Sequence, residues 1–119
     1  AINTLALPYG SRPKDKTLEV YLQKGQYEDV SYENIAILNV GWMPALSPFH
    51  NAFDPLSIPR VRASETDVDN VGFMNYLLDY EMNPQKRYIS DGEASIITIP
   101  SSVADKLNTS LPLEIYSYE

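Results

Sequence analysis

Apolar and polar residues alternate from Thr17 to Gln23, with Leu18, Val20 and Leu22 on one side and Thr17, Glu19, Tyr21 and Gln23 on the other. A period of two with β-branched and aromatic content predicts a half-buried strand. Lys24-Gly25-Gln26 then reads as a turn. The run Ile35 to Val40 is nearly all apolar and stops at Gly41, as expected of a strand covered on both faces. Between Ser64 and Asn83 the period lengthens: Val68, Val71, Met74, Leu78 and Met82 recur at helical steps and predict the main helix. Ser64 or Thr66 caps it, Glu65, Asp67 and Asp69 face its positive end, and Asn83-Pro84 stops it. Two β-rich runs, 86–90 and 93–99, flank Asp91-Gly92 and predict a hairpin with a tight turn. Pro100 ends the second run. Ser102 and Asp105 stand at capping-box spacing and predict a short helix to Asn108. Leu113 to Tyr118 alternates again as a closing strand.

Two stretches break this regularity. Residues 1–16 hold Pro8-Tyr9-Gly10 and Pro13, with Arg12, Lys14 and Lys16 around Asp15, and read as an extended arm. Residues 41–62 hold Pro44, Pro48, Pro55 and Pro59, which bar a long helix or a central strand. Trp42, Met43, Leu46, Phe49, Phe53, Leu56 and Ile58 lie between them, too apolar for a free linker. This Pro-rich loop must pack, on its own domain or on another chain. The order of elements predicts an α+β fold: a small, mostly antiparallel sheet, one main helix, one short helix and the long loop, in a single domain over 1–119. The core is expected from Leu18, Val20 and Leu22, from Ile35, Ile37 and Leu38, from Val71, Met74 and Leu78, and from Ile97, Ile99, Leu107 and Ile115.

Composition narrows the chemistry. The 119 residues carry nine Lys+Arg against sixteen Asp+Glu, a net charge of −7, which opposes binding to nucleic acid or to an anionic membrane surface. No apolar run reaches the length needed to span a bilayer. Cysteine is absent, so disulfides, thiol nucleophiles and thiolate metal sites are excluded. The first residues show no basic region leading into an apolar segment, so no signal peptide is expected and synthesis is expected in the cytoplasm.

Candidate catalytic chemistry is thin. His50 is the single histidine, and no sequence pattern pairs it with a nucleophile. Glu65-x-Asp67-x-Asp69 has the spacing of a calcium loop, yet Val71 falls on the fifth ligand position and Leu78 on the twelfth. Asp79 and Glu81 point to different sides of the helix. No catalytic residue, metal or cofactor is therefore expected. The order Ile96-Ile97-Thr98-Ile99-Pro100, Leu107, Leu113-Glu114-Ile115-Tyr116 is similar to the strand–helix–strand of the swapped-hairpin transition regulators and antitoxins. The Gly-Asp turn before the last strand and most of the basic residues used on DNA are missing, and ordinary capping accounts for the order without kinship.

Nine tyrosines are the most informative feature, because tyrosine gives large contact area at low entropic cost. These features together predict a non-enzymatic assembly subunit that contacts other protein chains, itself oligomeric or part of a larger body. Decoration, cement or connector proteins of a viral particle are the type of setting this suggests, with the virion as its location. The expected partner-binding residues are Trp42, Phe49 and Phe53 in the loop, Tyr76 and Tyr80 on the helix, and Arg12, Lys14 and Lys16 in the arm. Two other classes fit the same facts: an acidic inhibitor set into the basic groove of a host enzyme, and a small-molecule or sugar-binding module lined by tyrosine.

Overall fold

The computed structural model describes residues 3–41, 43–61, 73–83, 88–90 and 92–119. Trp42, the helix start expected at 64–72 with its acidic cluster, and part of the expected 86–99 hairpin lie outside them. The fold is α+β, and the chain divides into two compact units, one of residues 1–45 with 54–62 and one of 46–53 with 63–119.

In the first unit, β1 (Thr4–Ala6), β4 (Ala36–Val40) and β5 (Ile58–Arg60) form a sheet in the order β1-β4-β5. Both pairings are parallel, with Leu5 opposite Ile37 and Asn39 opposite Pro59. Residues 4–10, expected within an extended arm without regular structure, are thus sheet and turn. Leu7 is buried, and its N–H donates to Leu38 at 3.0 Å. Gly10 has φ +68°, and a Cβ there would stand 2.9 Å from the Val40 nitrogen, so the chain passes β4 because glycine has none. Ile37 is buried as the run 35–40 predicts, while Ile35 and Val40 are exposed, so β4 is covered less completely than its composition implies. Pro59 falls inside the Pro-rich segment yet lies in an edge strand. Arg60 accepts from Gly41 at 3.2 Å, which turns residue 59 away from β4, where its missing N–H costs nothing.

The alternation at 17–23 does not make a strand. Residues Lys16–Leu18 form a 3-10 turn and α1 (Val20–Gln23) a single helical turn. Asp15 caps the start by accepting from the Thr17 N–H at 2.9 Å and its hydroxyl at 2.7 Å. Leu18 and Val20 are therefore exposed rather than core. The expected turn at 24–26 is itself strand: β2 (Lys24–Tyr27) pairs antiparallel with β3 (Val30–Glu33).

In the second unit, β6 (Ile96–Pro100) and β7 (Glu114–Tyr118) pair in parallel, with Ile97 opposite Ile115. Among the described ladders only β2–β3 is antiparallel, so the expectation of a mostly antiparallel sheet is corrected. Period two fixes which face is buried and says nothing about the direction of a partner. Ile89 exchanges hydrogen bonds with Thr98 at 2.8 and 2.9 Å in an antiparallel bridge on the other side of β6. That spans a longer connection than the two-residue turn expected at Asp91-Gly92. Ser101–Lys106 is a 3-10 helix without the side-chain cap bond that Ser102 and Asp105 suggested. Ile97, Ile99 and Leu107 form the core, with Phe49, Tyr88, Val103 and Leu113 against it. The α-helix α2 (Phe73–Met82) ends where expected: the Asn83 amide donates to the Asp79 carboxylate at 2.7 Å. It buries none of its residues, and Met74 and Leu78, expected in the core, are about half exposed. Ile115 is likewise exposed.

Candidate protein-interaction surface

The β2–β3 register sorts the hairpin into two faces. Lys24 stands opposite Glu33 and Gln26 opposite Ser31 on one; Gly25 stands opposite Tyr32 and Tyr27 opposite Val30 on the other. A face of tyrosine and valine in a two-stranded hairpin needs a covering layer to be stable in water. Here Tyr27 is 75% and Val30 69% exposed.

Local chemistry holds this face in place. The Tyr32 ring lies over Gly25, where a Cβ would meet its hydroxyl oxygen at 2.5 Å. The hydroxyl donates to the Tyr21 carbonyl at 2.6 Å, which ties the hairpin to α1. Asn34 adds two bonds, from its N–H to Gln23 at 2.6 Å and from its amide to Leu22 at 2.8 Å. Glu28 turns the hairpin with φ 52°, a conformation that costs a non-glycine residue about 1 kcal/mol. Gln26 braces it by donating to the Glu28 carbonyl at 2.9 Å. The sequence offered a weak signal, since Tyr27-Glu28-Asp29-Val30 lacks the glycine that marks most two-residue turns.

The expected partner-binding residues are dispersed. Phe49 is half buried on the core of the second unit, and its carbonyl accepts from Asn108 at 2.8 Å. Phe53 is half buried. On α2, Tyr76 is half buried and Tyr80 exposed, beside exposed Phe73, Leu77 and Met82. Lys14 is exposed. Arg12 is engaged within its own unit, donating to Glu19 at 2.7 Å and to the Leu56 carbonyl at 2.6 Å, and Lys16 pairs with Glu19 at 3.3 Å. These bonds hold the Glu19 carboxyl below its ordinary value, that of Arg12 contributing most and Lys16 next.

An open cleft of about 500 Å³ in the first unit is lined by Arg12, Glu19, Asp54 and Ser57 among others. Its polar groups serve the fold: Asp54 accepts from the Leu56 N–H at 2.8 Å and Ser57 from the Asn39 amide at 2.8 Å. His50, in the other unit, accepts at Nδ1 from the Ala52 N–H at 3.0 Å, which stabilises its turn. Among the described residues no three His, Cys, Asp or Glu side chains converge as metal ligands, and no helix is long and apolar enough to cross a membrane.

Across both units, twenty large hydrophobic or tyrosine side chains among the described residues are exposed, against five buried hydrophobic ones. That ratio inverts the usual balance of a self-sufficient domain, in which isolated apolar residues at the surface accompany a larger core. Compared with known proteins, the chain has no significant match to any family model, curated protein or solved structure.

Proposed function

We propose that this chain is a non-enzymatic assembly subunit that docks on other protein chains through the Tyr27–Val30–Tyr32 face of its β2–β3 hairpin. The exposure of that face carries the reading. The strand pair presents Tyr32 already held by Gly25 and the Tyr21 carbonyl, so little further ordering of that ring is needed when a partner covers the face. Tyrosines with free apolar area are the side chains that concentrate binding energy at such contacts. The excess of exposed over buried apolar groups supports the same reading, because burial left undone in the single chain is completed in a complex. The accessory proteins of viral particles are the setting proposed for a small subunit of this kind.

The test compares the native mass of the wild type, alone and with any co-purifying protein, with that of a Tyr27→Ser/Val30→Ser double variant. Circular dichroism reports whether the variant still folds. The expected result is a wild type in a body heavier than the 13.4 kDa chain and a folded variant of lower native mass than the wild type. A variant that assembles as the wild type does rejects this surface, and a wild type monomeric and partnerless throughout rejects the assembly reading.

A further inference from the structure

Among the described residues the outer edge of β7 is unguarded, and its backbone groups are self-complementary. The Glu114 N–H donates to the Ser95 carbonyl at 2.7 Å, and the parallel register places Glu114 beside Ile96 and Tyr118 beside Pro100. In a parallel ladder alternate residues bond to one neighbour. The main-chain groups of Glu114, Tyr116 and Tyr118 therefore face β6, and those of Ile115 and Ser117 face outward. The Ser101 hydroxyl, donating to the Tyr118 carbonyl at 3.2 Å, agrees with this alternation. Among the described residues no strand lies on the outer side.

Proteins blunt such edges with proline, lysine or a covering segment. Strand β5 follows that rule, with Pro59 placed where its absent N–H faces away from β4. In β7 the two outward positions are Ile115 and Ser117, which keep their donors. Ile115 also shares the side of the sheet on which Ile97 and Ile99 are fully buried, yet it is 49% exposed. The core stops one strand short of covering it.

We propose that the occupant of this edge is the β7 strand of a second copy of the chain, added antiparallel about a two-fold axis through Tyr116. This rests on the assembly reading and names one of its contacts. In that register Ile115 of each copy meets Ser117 of the other as a hydrogen-bonded pair, and every outward N–H and C=O of both residues finds a partner. Tyr116 meets its own counterpart at the axis as a close non-hydrogen-bonded pair, and exposed aromatic pairs there are favourable. Charge agrees as well. Glu114, tied to the Tyr116 hydroxyl, lies opposite the counterpart of Tyr118, and the two Glu114 backbones stand about 14 Å apart along the strands, beyond the screening length of about 10 Å. Centring the pair on Ile115 instead would ask a further bond of the Leu113 N–H, which is already given to Leu111 at 2.9 Å.

The test is sedimentation equilibrium of the full chain from about 10 µM to about 1 mM, since a contact of one strand per copy belongs to the small, weak class of interface. Ser117→Pro removes an outward N–H and leaves the β6 ladder untouched. Tyr116→Lys sets two like charges at the axis and serves if the proline variant does not fold. The expected result is a reversible dimer of the wild type, weakened at least about tenfold in either folded variant. A wild type that dimerises equally with both substitutions overturns the edge pairing and leaves the assembly reading standing. A wild type monomeric over the whole range also overturns it, and a β7 variant that then fails to bind a co-purifying protein assigns the edge to a foreign strand instead.

Discussion

Arg12 and Glu19 meet at 2.7 Å, and the second Arg12 nitrogen reaches the Leu56 carbonyl at 2.6 Å, so one side chain joins the entry to the first helical turn with the approach to β5. The carbonyl bond holds partly buried backbone and is charge-assisted. Arg12→Met should cost about 1–2 kcal/mol in urea unfolding. Its pH dependence follows from Glu19, whose carboxyl is lowered from 4.5 by the Arg12 bond first and Lys16 second, and from Asp15, lowered from 3.8 by the Thr17 hydroxyl and N–H. Groups with a lowered folded value stabilise fully above the unfolded value and lose that contribution as pH falls through the folded one. Stability should therefore decline as pH falls below 4.5, and Glu19→Gln should flatten the decline. An unchanged slope in that variant would place the acid sensitivity elsewhere.

Burial separates two leucine-sized side chains that sequence periodicity treats alike. Ile99 is fully buried and Leu78 is 49% exposed. Ile99→Ala should cost about 2–5 kcal/mol. Leu78→Ala in the single chain should stay within about 1 kcal/mol of the wild type. Equal losses in thermal or urea unfolding would show that α2 is packed as tightly as β6.

Tyr88 packs against the Ile97–Ile99–Leu107 cluster with its hydroxyl buried and unpartnered among the described residues. Burial, and secondarily the charge of Asp105, raise its ionisation above 10.0. Tyr88→Phe removes a desolvated polar group and should stabilise the chain by about 1 kcal/mol. A raised folded value means that the tyrosine's contribution is intact below the unfolded value and is lost as pH rises through the folded one. The phenylalanine variant should therefore lose less stability than the wild type above pH 10.0. A destabilised variant would show that the hydroxyl has a bonding partner.

Those elements whose ends are marked by local chemistry were legible in the sequence. Pro100 and the alternation at Leu113–Tyr118 located β6 and β7, and Asn83 located the end of α2. What failed depended on contacts distant in the chain. The alternation of Leu18, Val20 and Leu22 became helical because Asp15 caps Thr17 and Arg12 holds Glu19, and the first of these alone was visible locally. The β2–β3 face was missed because Gly25 looked like a turn residue, whereas it is the position over which Tyr32 lies. Strand direction was invisible, since Leu38 pairs with Ile58 only after the chain has left the first unit and returned.

That excursion has a consequence for how the chain is made and cut. Residues 46–53 belong to the second unit, bonded through Asn51 to Lys106 at 2.8 Å and through Phe49 to Asn108 at 2.8 Å, while the residues on both sides of them belong to the first. During synthesis this segment emerges well before 106–108, and contacts of such large sequence separation are slow to close. Neither unit is a continuous stretch that can be excised. A fragment ending at Arg62 would leave Phe49 without the core that covers it, and one beginning at Ala63 would leave that core without Phe49. A truncation between the two units therefore damages both.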